Sequence, residues 1–167
     1  MTITAKDVTL RPYESSDIAA MTVLLNMPAV VEGTLQLPLR SLAERERKRQ
    51  GFEPIVDLVA VVDGLVVGHG ALQLAEQHRR RHTGTVMLVV RDDFHRQGIG
   101  ERLLRALLEQ ADDWLGLRRV ELLVHASNTG AIALYEKLGF TREGVLRDYV
   151  LTRGHYRDAL IMARLNR

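Results

Sequence analysis

The 167-residue chain has no cysteine, which excludes a disulfide framework, a thiolate nucleophile and any cysteine metal site. It lacks an apolar run of membrane-spanning length, so no membrane partner is expected. The opening Met1-Thr2-Ile3-Thr4-Ala5-Lys6 has no signal-peptide apolar core, and a cytoplasmic location is the default expectation. Neither sign of charge dominates: 23 Lys and Arg against 21 Asp and Glu give a net charge of +2. Near-neutral charge offers little counterion-release affinity, so nucleic acid is not an expected partner. Repeats, low-complexity tracts and linkers are missing as well. Residues 1–167 therefore read as a single domain, long enough to bury a core without staples.

Two clusters concentrate the basic charge. Glu44-Arg45-Glu46-Arg47-Lys48-Arg49 mixes both signs, with Glu44 and Lys48 four apart, and reads as a solvated helix face. His78-Arg79-Arg80-Arg81-His82 reads as a polar loop or strand edge. Its two histidines have the spacing of helical metal ligands, but the arginines between them repel a cation and no third ligand is near in sequence. No metal is expected. His69 and His125 fall in strand-like stretches and read as core or edge groups.

Residues 8–12 alternate like a short strand. Ser15, Ser16 and Asp17 offer N-caps to an amphipathic helix through Ala20, Met21, Leu24 and Leu25. The stretch 26–38, with Gly33 and two prolines, reads as a loop, and a polar helix follows over 41–50. Apolar runs at 57–62 and 65–72 flank Asp63-Gly64, a strong hairpin signal. Thr83–Val90 is a further strand. From Ile99, the residues Leu103, Leu104, Leu107, Leu108, Ala111 and Leu115 recur at helical spacing. Arg119–His125 is strand-like, and Ala131, Leu134, Tyr135 and Leu138 mark a second helical stripe, ended by Gly139. Residues 143–151 and 156–165 close as an antiparallel pair around Arg153-Gly154. This order predicts an α/β fold, a mixed sheet with helices on its faces.

The most informative stretch joins the strand at Val90 to the helix at Ile99 through Arg91-Asp92-Asp93-Phe94-His95-Arg96-Gln97-Gly98-Ile99-Gly100-Glu101. A helix N-terminus leaves unpaired N–H groups with partial positive charge, and glycines let a ligand approach them, which suits a pyrophosphate. Arg96 adds a charge-assisted contact. Two alternatives fail on missing residues. The dinucleotide fingerprint needs a third glycine where Leu103 stands, and a P-loop needs Gly-Lys-Ser or Gly-Lys-Thr.

Downstream runs Leu123-Val124-His125-Ala126-Ser127-Asn128-Thr129-Gly130-Ala131-Ile132-Ala133-Leu134-Tyr135-Glu136-Lys137-Leu138-Gly139-Phe140. Together with His95-Arg96-Gln97-Gly98-Ile99-Gly100, it closely resembles the GNAT superfamily of N-acetyltransferases, the two motifs standing in that family's order and separation. The loop Thr34-Leu35-Gln36-Leu37-Pro38 and the tail Arg153-Gly154-His155-Tyr156-Arg157-Asp158-Ala159 resemble a bacterial YhhY-like subgroup associated with amino acids and similar small amines. The resemblance implies a mostly antiparallel twisted sheet flanked by about four helices, with acetyl-CoA as co-substrate. It implies that the backbone of Leu88, Val89 and Val90 pairs with the pantetheine arm. Amides from Arg96, Gln97, Gly98, Ile99, Gly100 and Glu101 would hold the pyrophosphate. Asn128 would bond the cofactor, and Tyr135 would lie near its sulfur. His95 departs from the family's usual Gln or Arg at that position, which implies altered affinity. Family habit also implies a homodimer.

Attack of a neutral amine on a thioester needs a deprotonated amine, an oxyanion donor and an acid for the leaving sulfur. Under the resemblance, Tyr135 is that acid and an N–H around Val90 the oxyanion donor. The base stays open: Thr83, Thr85 and Met87 supply no carboxylate, which leaves Glu121, Glu32 or ordered water. Glu32, Thr34, Gln36, Tyr149, Tyr156 and Asp158 are the candidate acceptor pocket. The expected function is acetyl transfer to the primary amine of a small molecule by direct attack in a ternary complex. The alternatives are a protein or peptide N-terminal acetyltransferase and a non-catalytic CoA-binding sensor.

Overall fold

Asp63 and Gly64 both take positive φ and turn the chain between β2 (Val56–Val62) and β3 (Leu65–Leu74), as an Asp-Gly hairpin requires. This hairpin supplies the second and third strands of the sheet in the computed structural model, which describes residues 8–166. The opening Met1 to Lys6 lies outside them. The remaining strands are β1 (Thr9–Pro12), β4 (Thr83–Val90), β5 (Arg119–His125), β6 (Thr141–Thr152) and β7 (His155–Leu165). They form one seven-stranded sheet in the order β1-β2-β3-β4-β5-β7-β6. All pairings are antiparallel except that of β4 with β5.

Five α-helices occur among the described residues: α1 (Ile18–Leu25), α2 (Pro28–Gly33), α3 (Leu42–Arg49), α4 (Ile99–Glu109) and α5 (Thr129–Lys137). The sequence pattern leads to four, because 26–38 reads as loop. The short α2 exists because Pro28 stands in its first turn, where a fixed φ helps and no N–H is needed. Val30 is buried beneath it, and Asp92 accepts the Ala29 N–H at 2.9 Å. The capping box at Ser41 and Glu44 starts α3 as a polar helix should start. A π-helical turn, Gln110–Trp114, extends α4.

Side-chain alternation in the strands divides the helices between two faces. Ala60, Val62 and Val67 pack with Ile99 and Leu103 of α4. Val59 and Val66 pack on the opposite face with Met21 and Leu24 of α1. Val120, Leu122 and Val124 of β5 join Leu104, Leu107 and Leu108 of α4 and Ile132 and Tyr135 of α5 in the largest core cluster. Thus α4 and α5 cover one face and α1 the other. No helix among the described residues is long and apolar enough to cross a membrane.

Candidate active site

The parallel pairing of β4 with β5 covers only 83–85 against 119–121. Beyond it the two strands line opposite walls of a cleft of about 1050 Å³. The free edge of β4 follows from the ladder with β3. The Arg91 N–H donates to Val67 O, so Val89, paired with His69 two steps back, also turns its polar groups to β3. Leu88 and Val90 then turn theirs toward the opening. Val89 therefore contributes its side chain to the opposite core, not its amide to the edge. His95 Nε2–H donates to the Val90 carbonyl at 2.9 Å, so the residue that departs from the family pattern is tied to this edge.

At the end of β4 the backbone is bent for close approach. Arg96 has φ 59° and Gly98 φ 78°, the left-handed region that glycine enters freely. Gly98 is the N-cap of α4 and gives no side-chain cap, while the Arg102 N–H is the first to find an intrahelical carbonyl, that of Gly98. The amides of Ile99, Gly100 and Glu101 thus remain for an anion. A Cβ on Gly100 would stand 3.5 Å from Leu134, 3.6 Å from Leu88 and 3.7 Å from Val90, so its missing side chain leaves the floor of the opening clear. Gln97 turns its side chain inward to Asp93 O and is absent from the lining. The Glu101 carboxylate is neutralised by Lys137 and Arg105, bolting α4 to α5.

From β5 and α5 come Asn128 and Tyr135. Asn128 caps α5 by accepting the Ala131 N–H at 3.2 Å, which leaves its Nδ2 as a donor in the cleft, on the side of Gly33. Tyr135 is 8% exposed, packs on Phe140 with ring centroids 5.8 Å apart, and lines the cleft. Its hydroxyl has no hydrogen-bond partner among the described residues. Burial pushes its pKa up to about 12, above the ordinary phenol value expected from sequence. The group is a protonated donor at any physiological pH.

The sheet face toward α1 carries a second set of lining residues. His69, Met87, Leu123 and His125 all line the cleft there, and Thr34, Gln36 and Tyr149 close around them. Of the other acceptor candidates, Glu32, Tyr156 and Asp158 do not line it. Glu32 pairs with Arg153 at the β6–β7 turn. Tyr156 is exposed. Asp158 works indirectly: its Oδ1 accepts the Asp148 N–H at 2.9 Å, where Asp148 has φ 50°. Between the pairs Leu146↔Ala159 and Val150↔Arg157, Arg147, Asp148 and Tyr149 face Asp158 alone. This bulge re-aims Tyr149 into the cleft. Glu121 is no base: Arg80 and Arg119 hold it at 2.6 and 2.7 Å. Burial pushes its carboxyl up, but those hydrogen bonds outweigh it and keep the carboxyl below its usual range.

Sequence reasoning missed the role of α3. Arg45 is 5% exposed, not solvated; Arg45, Arg49 and the exposed Lys48 line the cleft, whereas Glu46 and Arg47 do not. Their spacing of three and four is the signal that places them on one helix face. Arg49 stacks on Tyr13 at 3.9 Å and pairs with Asp57, which also accepts from His69 Nε2 at 2.6 Å. Burial, helped by Arg49, depresses the His69 pKa to about 4, so its ring is neutral. The 78–82 cluster is an exposed turn, with Arg81 on His78. Among the described residues no group of three or more His, Cys, Asp or Glu side chains could hold a metal.

The profile of the Acetyltransferase (GNAT) family matches residues 24–140. The L-amino acid N-acetyltransferase AaaT of Escherichia coli K12 is 36% identical over 162 residues, covering 95% of this chain and 98% of that one. An acetyltransferase of the GNAT family from Streptococcus pneumoniae superposes with a TM-score of 0.79 at 26% identity, over 95% of this chain and 98% of that one. The structure of yncA from Salmonella typhimurium with its cofactor acetyl-CoA has the same fold, with a TM-score of 0.78 at 23% identity over 95% and 93%.

Proposed function

This chain belongs to the GNAT family of acetyltransferases, and we propose that it moves an acetyl group from acetyl-CoA to the primary amine of a small molecule, an amino acid or related amine. The observation that carries the proposal is the opened seam between β4 and β5. One of its walls is a free strand edge leading to uncapped helix amides, and a protonated Tyr135 stands on the other side. The likeness to a protein named for L-amino acid acetylation supports the acceptor class.

Acetyl-CoA supplies a thioester whose carbonyl carbon accepts a neutral amine and whose sulfur can leave. The residues present fit it: the anion site at Ile99–Glu101 suits a pyrophosphate, and the free edge at Leu88 and Val90 suits an amide-bearing arm. An N–H of that edge receives the negative charge that develops on the carbonyl oxygen. Tyr135 donates its proton to the departing sulfur. Its pKa of about 12 exceeds the roughly 8.5 of a thiol in water, so the donation is concerted with C–S cleavage. Among the described residues no carboxylate lines the acceptor side, so the amine loses its proton to water or to His125, whose ring lines the cleft without a hydrogen-bond partner among the described residues.

The test is thiol release from acetyl-CoA against free L-amino acids, polyamines, aminoglycosides and short peptides. Turnover on an amino-acid class, abolished in Tyr135→Phe, is the expected result. Tight acetyl-CoA binding with no turnover on any amine would replace this reading with a CoA-binding sensor.

A further inference from the structure

Arg45 is a nearly fully buried cation with no ion pair among the described residues. Its guanidinium donates to three neutral oxygens: Leu25 O at 3.2 Å, Asn26 Oδ1 at 3.2 Å and Gln36 Oε1. Its Nε is buried with no partner. Neither acid beside it on the helix pairs with it: Glu44 is already committed to Arg40 and the Ser41 cap, and Glu46 is exposed. A buried charge without a counter-ion is strongly unfavourable, and this one lines the cleft on its acceptor side. Lys48 lines the same wall and has no carboxylate partner among the described residues. Arg49 differs, because Asp57 neutralises it. Among the described residues neither Arg45 nor Lys48, whose side chain is exposed, has an ion-pair partner, and the only carboxylate lining the cleft is Glu101, across it and paired twice.

We infer that the acceptor carries a carboxylate near its amine, and that Arg45, with Lys48 beside it, is the receptor for that carboxylate. A guanidinium fork suits a planar carboxylate, and the partial desolvation of Arg45 strengthens each charge-assisted bond. Gln36 then acts as a positioning residue, its amide oxygen holding the fork in place. The same wall repels a polyamine, which brings only positive charge. This inference rests on the acetyl-transfer reading of the cleft and specifies its substrate class.

The experiment titrates CoA-loaded protein by calorimetry with matched triples, an L-amino acid, its amide and its decarboxylated amine, built on leucine and on serine. Thiol release from acetyl-CoA is followed on the same six compounds. The acid of at least one triple is expected to bind about 30-fold or more tighter than its amide or amine. Arg45→Met should erase that preference and Lys48→Gln reduce it. Because Arg45 also ties α3 to the end of α1, the wild-type ratio of acid to amide is the primary readout and requires no variant. Equal binding of acid and amide, or no binding of either acid, overturns the inference. Acid-selective binding without thiol release sinks the acetyl-transfer reading and leaves the receptor standing. Thiol release as fast from amide and amine as from acid does the reverse.

Discussion

Replacing Tyr135 by Phe separates chemistry from packing more cleanly than any other single change. The ring is buried against Phe140 and stays so in the variant. Only the hydroxyl is lost, and it has no hydrogen-bond partner among the described residues. Removing an unpaired polar group from a desolvated site costs nothing and can stabilise by about 1 kcal/mol. For a chain of this length the melting temperature should hold or rise by up to about 3 °C. If Tyr135 delivers the proton to sulfur, kcat should fall about 10²- to 10⁴-fold, roughly 3–5 kcal/mol of barrier, with the KM for acetyl-CoA little changed. The phenol pKa of about 12 adds a second signature. The wild-type kcat should keep a plateau through pH 10, because the acid remains protonated. Stopped initial-rate assays of thiol release across pH 6–10.5, beside thermal melts of both proteins, measure all of this. A variant that melts several degrees lower and loses activity in proportion would make Tyr135 a packing residue. A wild-type decline with an apparent pKa near 10 would refute the buried, protonated donor.

Gly100→Ala should preserve or improve stability, since the new methyl makes ordinary contacts and alanine favours a helix by about 1 kcal/mol. Its acetyl-CoA affinity, read by calorimetry, should drop at least about tenfold, and an unchanged affinity would place the cofactor elsewhere. His69 has a pKa held at about 4 in the folded protein, against about 6.5 unfolded, so below pH 6.5 the unfolded state binds the extra proton. Stability should therefore fall between pH 6.5 and 4, by up to about 3 kcal/mol, and urea titrations of His69→Gln should show that slope flattened. Asp158→Ala removes the acceptor that templates the bulge at Asp148. It should cost about 1–2 kcal/mol and raise the acceptor KM without moving that for acetyl-CoA; equal effects on both would detach Tyr149 from the acceptor.

Every strand and four of the five helices were legible in the sequence, because their signals are local. Asp63-Gly64, the threonine- and valine-rich run Thr83–Val90 and the leucine stripe from Ile99 each depend on neighbours within about one turn or pleat. The helix α2 was not legible, since its stability comes from burying Val30 and from Asp92, 63 residues away. The uncapped amides after Gly98 were readable for the same local reason, and so was the placement of Asn128 at the start of the helix that carries Tyr135.

What each charged group does was decided only in three dimensions. Glu121 looked available as a base until Arg80, 41 residues distant, and Arg119 closed on it. Arg45 looked solvated within a run of alternating charges, and it is buried because α3 folds back onto the end of α1 and onto Gln36. Val89 lost its place on the free edge to the hydrogen-bond phase of the β3–β4 ladder, which no residue type encodes. Backbone conformation is set by a residue and its near neighbours, so the sequence determined the elements and the glycine turn before α4. Solvation and charge pairing are set by whatever the fold brings within a few ångströms, and for the wall of the cleft built by α3 that was left to the tertiary structure.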